Sequence, residues 1–487
     1  MNDVPHNVLL PALPMTEPLP GAVLFGFDNY AFPFQHHVQT HLIAGSQPRI
    51  ALPLGEPGSP DEIILHYGTV LRIDNRYHMW YAGNHAHPDI PGKRRTRICY
   101  ATSDDAIHWN KPELGLVEFN GNTRNNLVDL PFDNLQPSAI VLHDPDNPDP
   151  ARRFKLAFEA LDPAAGANRF CVAFSEDGLR WNPSPANPVG PWFEMSGIAR
   201  FRGLYYVSGQ AEGTSHRPVN ARRLATFVSA DFERWSPISA VGLDRATDLH
   251  GPSTAANWNA EEEIHLGSSL WNRGNVLLGV YGQWHGHPSG DRRNLTMDLG
   301  LTLSHDALHH IEPIRDFPFI PAREQPGSPR GSSPALMQGQ GFVNTEDRTL
   351  YWYSAWRGSD SSGVLATSWE KDRLGMLKPF HRDDARVISC PVSITTGEAR
   401  ISVNASGLGE HTQLRISMLD EGFRPVPGFS GDAAAIVGTS GFREPVRWNG
   451  HDALPASLGR VRFDIRVTGL RPEDANLHAL YIGNPIE

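Results

Sequence analysis

The chain has 487 residues, with 43 Lys and Arg against 54 Asp and Glu, giving a net charge of −11. That acidic balance argues against a nucleic-acid or anionic-membrane partner, and 40% hydrophobic with 20% charged residues marks a folded chain with enough length for two or three domains. Cys99, Cys171 and Cys390 are an odd number, lie far apart and show no CxxC spacing, and no apolar run is long enough to span a bilayer. No secretory leader, membrane span, metal or cofactor is therefore expected, and a reducing, cytoplasmic location is.

Residues 1–24, with five prolines in the first twenty, read as an extended arm. A degenerate β unit then recurs five times: a short apolar strand, a polar turn, an aromatic strand and a third strand. The first copy takes Tyr67–Ile73, Tyr77–Ala82 and Arg97–Thr102; the second takes Ala139–Leu142, Phe154–Phe158 and Phe170–Phe174. The third has Ile198–Phe201, Leu204–Ser208 and Leu224–Val228; the fourth has Ile264–Leu270, Val276–Tyr281 and Leu299–Leu303. The fifth has Gly341–Asn344, Thr349–Ser354 and Val364–Thr367.

In four copies the third strand ends in a Ser/Asp turn, opening at Ser103, Ser175, Ser229 and Ser304. The turn closes six residues later on Trp109, Trp181, Trp235 and His310. Ser and Asp side chains satisfy the backbone N–H groups that a tight connection frees, and the ring returns to the apolar side. After Ser368 the turn has decayed. Short strands at even intervals with such turns predict radial repetition. Beyond Pro379 the chain alternates apolar and polar residues, as in Ile401–Ala405, Gln413–Leu419 and Val461–Val467, and shows no helical period. The predicted fold is all-β: a five-bladed β-propeller over 25–379 followed by a β-sandwich over 380–487.

In such a ring the first strands of all copies begin at one axial mouth, which makes the residues just ahead of them the candidate site. Glu194 stands there between aromatic neighbours and Gly197, where partial desolvation favours a general acid; its plainer reading is a solvated loop carboxylate. Glu62 is the candidate partner carboxylate, or one half of an ordinary surface pair with Asp61. Asp28 lies in the apolar run Leu24–Tyr30, where a charge is costly unless it is used or bonded, as in an Asx-turn. His66 and His265 on predicted first strands, with His250 ahead of the fourth, suit sugar hydroxyls; satisfied core histidines are the alternative. Arg323 and Arg330, ahead of the fifth copy, suit a phosphate or a substrate oxygen.

The run Cys99–Leu116 with Asn125–Val128, and in the C-terminal part Asn404-Ala405, Pro427–Ser430 and Val446–Trp448, resembles a bacterial branch of glycoside hydrolase family 32-like proteins. More broadly the chain resembles the five-bladed propeller glycosidases of families 32 and 43. The resemblance implies a general acid at Glu194, where Met195-Ser196 stand in place of the family's Cys-Pro. The family's Asn-Asp-Pro-Asn-Gly nucleophile motif is missing, and His143-Asp144-Pro145 falls in a turn, so it is not carried over. The expected activity is hydrolysis of a small furanose-containing (fructosyl or arabinosyl) saccharide by Glu194 with Glu62 or Asp28. The alternatives are a glycoside phosphorylase and a non-catalytic carbohydrate-binding propeller.

Overall fold

The computed structural model describes residues 19–86, 94–132, 135–211, 222–245, 261–322, 334–355, 363–394 and 398–486. Among them every regular element is a β-strand or a short 3-10 turn, and no helix is long and apolar enough to cross a membrane. Cys99 and Cys171 are buried and Cys390 is half-buried, all three as free thiols.

Each copy of the repeat forms an antiparallel group. Copy one is Ile63–Ile73, Arg76–Ala86 and Arg94–Ser103, and copy two is Leu135–His143, Phe154–Asp162 and Ala167–Ser175 with the short outer strand Asn182–Pro183. Copy three is Glu194–Phe201, Leu204–Ala211, Arg223–Ser229 and Ala240–Leu243. In copy four, Glu262–His265 and Trp271–Asn272 both pair with Leu277–His285, and Thr296–Ser304 lies beyond. Copy five is Leu336–Asn344, Arg348–Ala355 and Val364–Glu370, completed on its outer side by Arg49–Leu52 from near the start of the chain.

The Ser/Asp turns do what their composition requires. Asp105 Oδ1 accepts the N–H groups of Ile107 and His108, both at 2.8 Å. Asp177, Asp231 and Asp306 repeat the pattern with the residues two and three positions on. The residue after each Asp is left-handed: φ is 64° at Ala106, 73° at Gly178, 68° at Phe232 and 64° at Ala307. Only one of the four is glycine, so the carboxylate bonds offset a backbone strain of about 1 kcal/mol at the others.

Successive copies are hydrogen-bonded to one another. Val141 N donates to Thr69 Oγ1 at 2.9 Å and Ser138 Oγ to the Met195 carbonyl at 2.7 Å, whereas between copies three and four Ser268 N, past the first strand, donates to Ser208 Oγ on the second strand at 3.2 Å. Gln338 Nε2 donates to the carbonyls of His265 and Gly267, and a parallel bridge joins Gln340 to Thr69. Gln340 also bonds the backbones of Ile198 and Leu270, tying copy five to copies three and four.

The rest of the chain forms two six-stranded sheets that share one core. One contains Gly21–Phe25, Val38–Leu42, Gly375–Pro379, Ile401–Ser406, Gly441–Val446 and Asn476–Gly483; the other is built on Thr412–Asp420 and Arg460–Gly469. Two expected boundaries are corrected here. The arm drawn over 1–24 ends in a strand, since Gly21–Phe25 pairs along its whole length with Asn476–Gly483, and Gly375–Pro379 joins this C-terminal pair of sheets rather than the repeat. The reason is alternation: Leu24 and Leu480 enter the core between the two sheets, while Val23, Phe25, Ala479 and Tyr481 pack on copies four and five. A strand buried on both faces shows no polar alternation for sequence reading to find.

One ion pair sits at that junction. Arg273, after the short strand Trp271–Asn272, is 0% exposed, and its guanidinium grips Asp372 with Nη1–Oδ1 at 2.6 Å and Nη2–Oδ2 at 3.0 Å. Asp372 occupies the decayed fifth turn with φ 59° and also accepts Asn344 Nδ2 and the Tyr481 hydroxyl. Arg273 Nε reaches the Ile486 carbonyl. Asp372→Ala would leave a buried guanidinium without its carboxylate, so it should cost about 3–5 kcal/mol in urea unfolding. Replacing Arg273 and Asp372 together by Met and Leu should cost clearly less. Equal losses in the two variants would show that the pair is not what stabilises the junction.

Candidate active site

The strands define two ends. First strands begin, and second strands finish, at one end, the mouth; the Ser/Asp turns lie at the other, about 27 Å away for strands of eight rises.

Across Trp192-Phe193-Glu194-Met195 the burial alternates, with Phe193 and Met195 fully buried and Trp192 and Glu194 half-buried on the opposite side. Phe193 is fixed edge-on against Phe227, with ring centroids 4.8 Å apart. The Ser138–Met195 bond sets the first strand of copy two beside this entry. One strand further out, Glu159 stands at the same end, because Leu135 pairs with Ala160. The Glu159 side chain is 4% exposed, and its Oε1 accepts Trp192 Nε1 at 2.9 Å and Asn168 Nδ2 at 2.6 Å. Both donors are neutral. Burial first, and then the negative charge of Glu194, raise the Glu159 carboxyl to about 7 against the pull of those two bonds. A buried carboxyl that titrates near neutrality beside a half-buried one is the arrangement that acid–base chemistry uses.

Glu262 and Asp298, also at this end, are committed to ion pairs. Glu262 is bonded to Arg245 at 3.2 Å and to His285 Nδ1 at 2.9 Å, while His285 Nε2 meets Asp298 at 3.1 Å. Arg245 also pairs with Asp316. Arg222 lies at this end with its guanidinium 4.2 Å from the centroid of the buried Trp284 ring. Among the described residues, no three His, Cys, Asp or Glu side chains converge as a metal ion would need.

No protein-family model and no curated protein matches the chain. Among solved structures it is similar to one from the GH130 family of mannoside phosphorylases, described as containing glycoside hydrolases that target β-1,2 mannosidic linkages in Candida mannan. The identity is 15% and the TM-score 0.46, over 68% of this chain and 95% of that one. A β-1,2-mannobiose phosphorylase from Listeria innocua is 12% identical with a TM-score of 0.43, over 64% of this chain and 91% of that one. The Bombyx mori GH32 β-fructofuranosidase is 12% identical with a TM-score of 0.38, over 89% and 93%. At these scores the likeness carries nothing about chemistry, which rests on the side chains.

Of the residues singled out from sequence, Glu194 and Glu62 come to the mouth. Glu62, however, is engaged on both oxygens, accepting Gly58 N at 2.9 Å and Ala86 N at 3.1 Å, so it staples its loop to the end of the second strand. Asp28 does not join them. It accepts Tyr30 N at 2.9 Å in an Asx-turn and meets His305 Nε2 at 3.0 Å, one residue past Ser304 at the opposite end. The aromatics around it belong to the packing between the ring and the C-terminal sheets, which explains a buried charge without chemistry. Asp144 likewise lies at the far end, held by Lys155, Arg200 and Tyr205. His265 is buried and stacked parallel to Trp284 with centroids 6.1 Å apart, as a core histidine would be. His66 falls on the first strand of copy one beside the irregularity between Leu65 and Thr69, with its side chain outside the described residues. His250, Arg323 and Arg330 lie outside the described residues altogether. Glu159 was missed, although a signal existed: the apolar run Phe154–Phe158 continues through an acid to Ala160-Leu161.

Burial alone would lower His285, but its hydrogen bonds to Asp298 and Glu262 raise it from 6.5 to about 9. A folded-state value above the unfolded one means that this clamp stabilises fully below about pH 6.5 and is lost as pH rises through about 9. Urea midpoints of wild type and His285→Gln should therefore differ most at the acid side of that interval and converge at the alkaline side. A gap that stays constant with pH would show that no imidazolium is held there.

Proposed function

We propose that the five copies, with Arg49–Leu52, are the blades of a propeller, that the two C-terminal sheets, completed by Gly21–Phe25, Val38–Leu42 and Gly375–Pro379, are a sandwich, and that the chain is a glycoside-processing enzyme of a reducing, cytoplasmic compartment. The hydrogen bonds that join each copy to the next support the ring, and Arg49–Leu52 supports its closure. The observation that carries the activity is the Glu159–Glu194 pair at the mouth, with one carboxyl buried and held by neutral donors. The substrate is a furanose-containing saccharide, as the sequence resemblance implies.

Near neutral pH the pair holds one proton between its members, because two adjacent carboxylates in a dry recess resist double ionisation. Glu194, the half-buried member, meets the glycosidic oxygen and delivers that proton to it as the C–O bond breaks. Glu159, raised to about 7 by burial and by the charge of Glu194, is the store from which that proton comes. A water then adds to the anomeric carbon and returns one proton to the carboxyl pair, which restores it for the next turnover. Phosphorolysis is the second reading, favoured by the guanidinium of Arg222 at the same end, with inorganic phosphate replacing that water.

Glu194→Gln should fold and lose ~10²–10⁴-fold in kcat/KM on an unactivated saccharide, and much less on an aryl glycoside whose leaving group needs no proton. Glu159→Gln removes the carboxyl raised to about 7, so an alkaline limb of kcat/KM near pH 7 in the wild type should be lost in the variant. The screen uses fructo- and arabino-oligosaccharides, with and without phosphate. Wild-type turnover by Glu194→Gln, or no turnover of any saccharide by wild type, would sink the enzymatic reading and favour a binding propeller.

A further inference from the structure

The turn end carries a groove that the mouth chemistry does not use. Three adjoining concavities of about 420, 400 and 410 Å³ share Arg348 as a wall. They run from the Ser/Asp turn of copy one, at Asp105 and Ile107, across the outer end of copy five, to Phe442, Asn476 and His478 of the C-terminal sheet. Arg348 opens the second strand of copy five and pairs in register with Glu370 at the end of the third, so the groove lies one strand length from Glu194.

From this composition we propose that the groove is a second, non-catalytic binding site for a neutral oligosaccharide, resting on the reading of the chain as saccharide-processing. Its charges cancel. Arg49, Arg348, Lys371 and Arg373 face Asp105, Glu346, Asp347 and Glu370. Several are already paired, Arg373 with Glu370, and Arg348 with Asp347 at 3.5 Å. Such a surface offers planar donors and acceptors with no net field, so it selects neither a phosphate, a nucleic acid nor a polycation. Its remaining polar groups are neutral. Burial is the main influence lowering His478, to about 4, and Ser406 Oγ lies 3.0 Å from its Nε2. Phe442, Ile107 and Met376 supply apolar faces between the polar ones. Alternating hydroxyl partners and C–H faces match a sugar chain, and each concavity is of ligand-site size. Because the three adjoin at Arg348, the site suits an oligomer longer than the mouth alone requires, anchoring one part of a polysaccharide while another end is processed.

The test uses the full chain. Glu194→Gln, in which turnover is suppressed, is run in native gels cast with inulin, arabinan, β-mannan or heparin, alone and with Arg348→Ala added. Arg348 has a half-exposed side chain, so its loss should leave the fold and the turnover of small aryl glycosides unchanged. Retardation by at least one neutral polysaccharide, with affinity reduced tenfold or more by Arg348→Ala, is the expected result. No retardation, retardation untouched by Arg348→Ala, or stronger retardation by heparin overturns the proposal. A groove that fails while wild type still turns over saccharides leaves the enzymatic reading standing. Retardation that depends on Arg348 without any turnover leaves the groove standing and removes the enzyme.

Discussion

The buried contact between Arg273 and Asp372 is the constraint on which the arrangement of parts depends. A guanidinium with no exposed surface can persist only if its charge and donors are all met, and here they are met from three places: the Asp372 turn of copy five, the Ile486 carbonyl near the end of the chain, and the flanking rings of Trp271 and Phe25. Each partner belongs to a different segment. Removing any one leaves the others desolvated, so copy four, copy five and the C-terminal sheet are held in one relative position. In the fifth turn Asp372 points inward to serve this pair.

The mouth depends on the same logic of segments that meet only after folding. Glu159 comes from a second strand and Glu194 from the next copy's first strand, and what couples them is the pairing of Leu135 with Ala160 and the bond from Ser138 to Met195. Trp192 serves both needs. It fills space beside the pair and donates the indole hydrogen bond that keeps the Glu159 carboxyl satisfied whether or not it is ionised. The ion-paired acids of copy four, by contrast, keep their charges compensated and rigidify the rim.

Much of the architecture was legible because it is local. The Ser/Asp turns could be read from spacing, since the bonds that make them run between neighbours two and three residues apart. Glu194 could be placed at a strand entry for the same reason. Glu159 could not be paired with it, because the register between strands of different copies is set by side chains distant in sequence. Asp28 misled because a buried charge among aromatics looks alike whether its partner is a substrate or His305. The strand Gly21–Phe25 was taken for the end of an arm because a segment covered on both faces carries no alternating pattern.

That strand, with Arg49–Leu52, also governs the order in which the molecule can be completed. Two early segments depend on partners made much later: Arg49–Leu52 waits for Val364–Ala366, and Gly21–Phe25 waits for Asn476–Gly483. Neither module can close on its own portion of newly made chain. A cut at residue 379 would not release two domains but would leave the C-terminal sheets short of strands from the N-terminal fifty residues. Exposed strand edges are the usual starting points for association between unfinished chains. Such a chain is therefore most exposed to aggregation while Val364–Ala366 and Asn476–Gly483 are still unmade, and its two modules share strands across any cut between them.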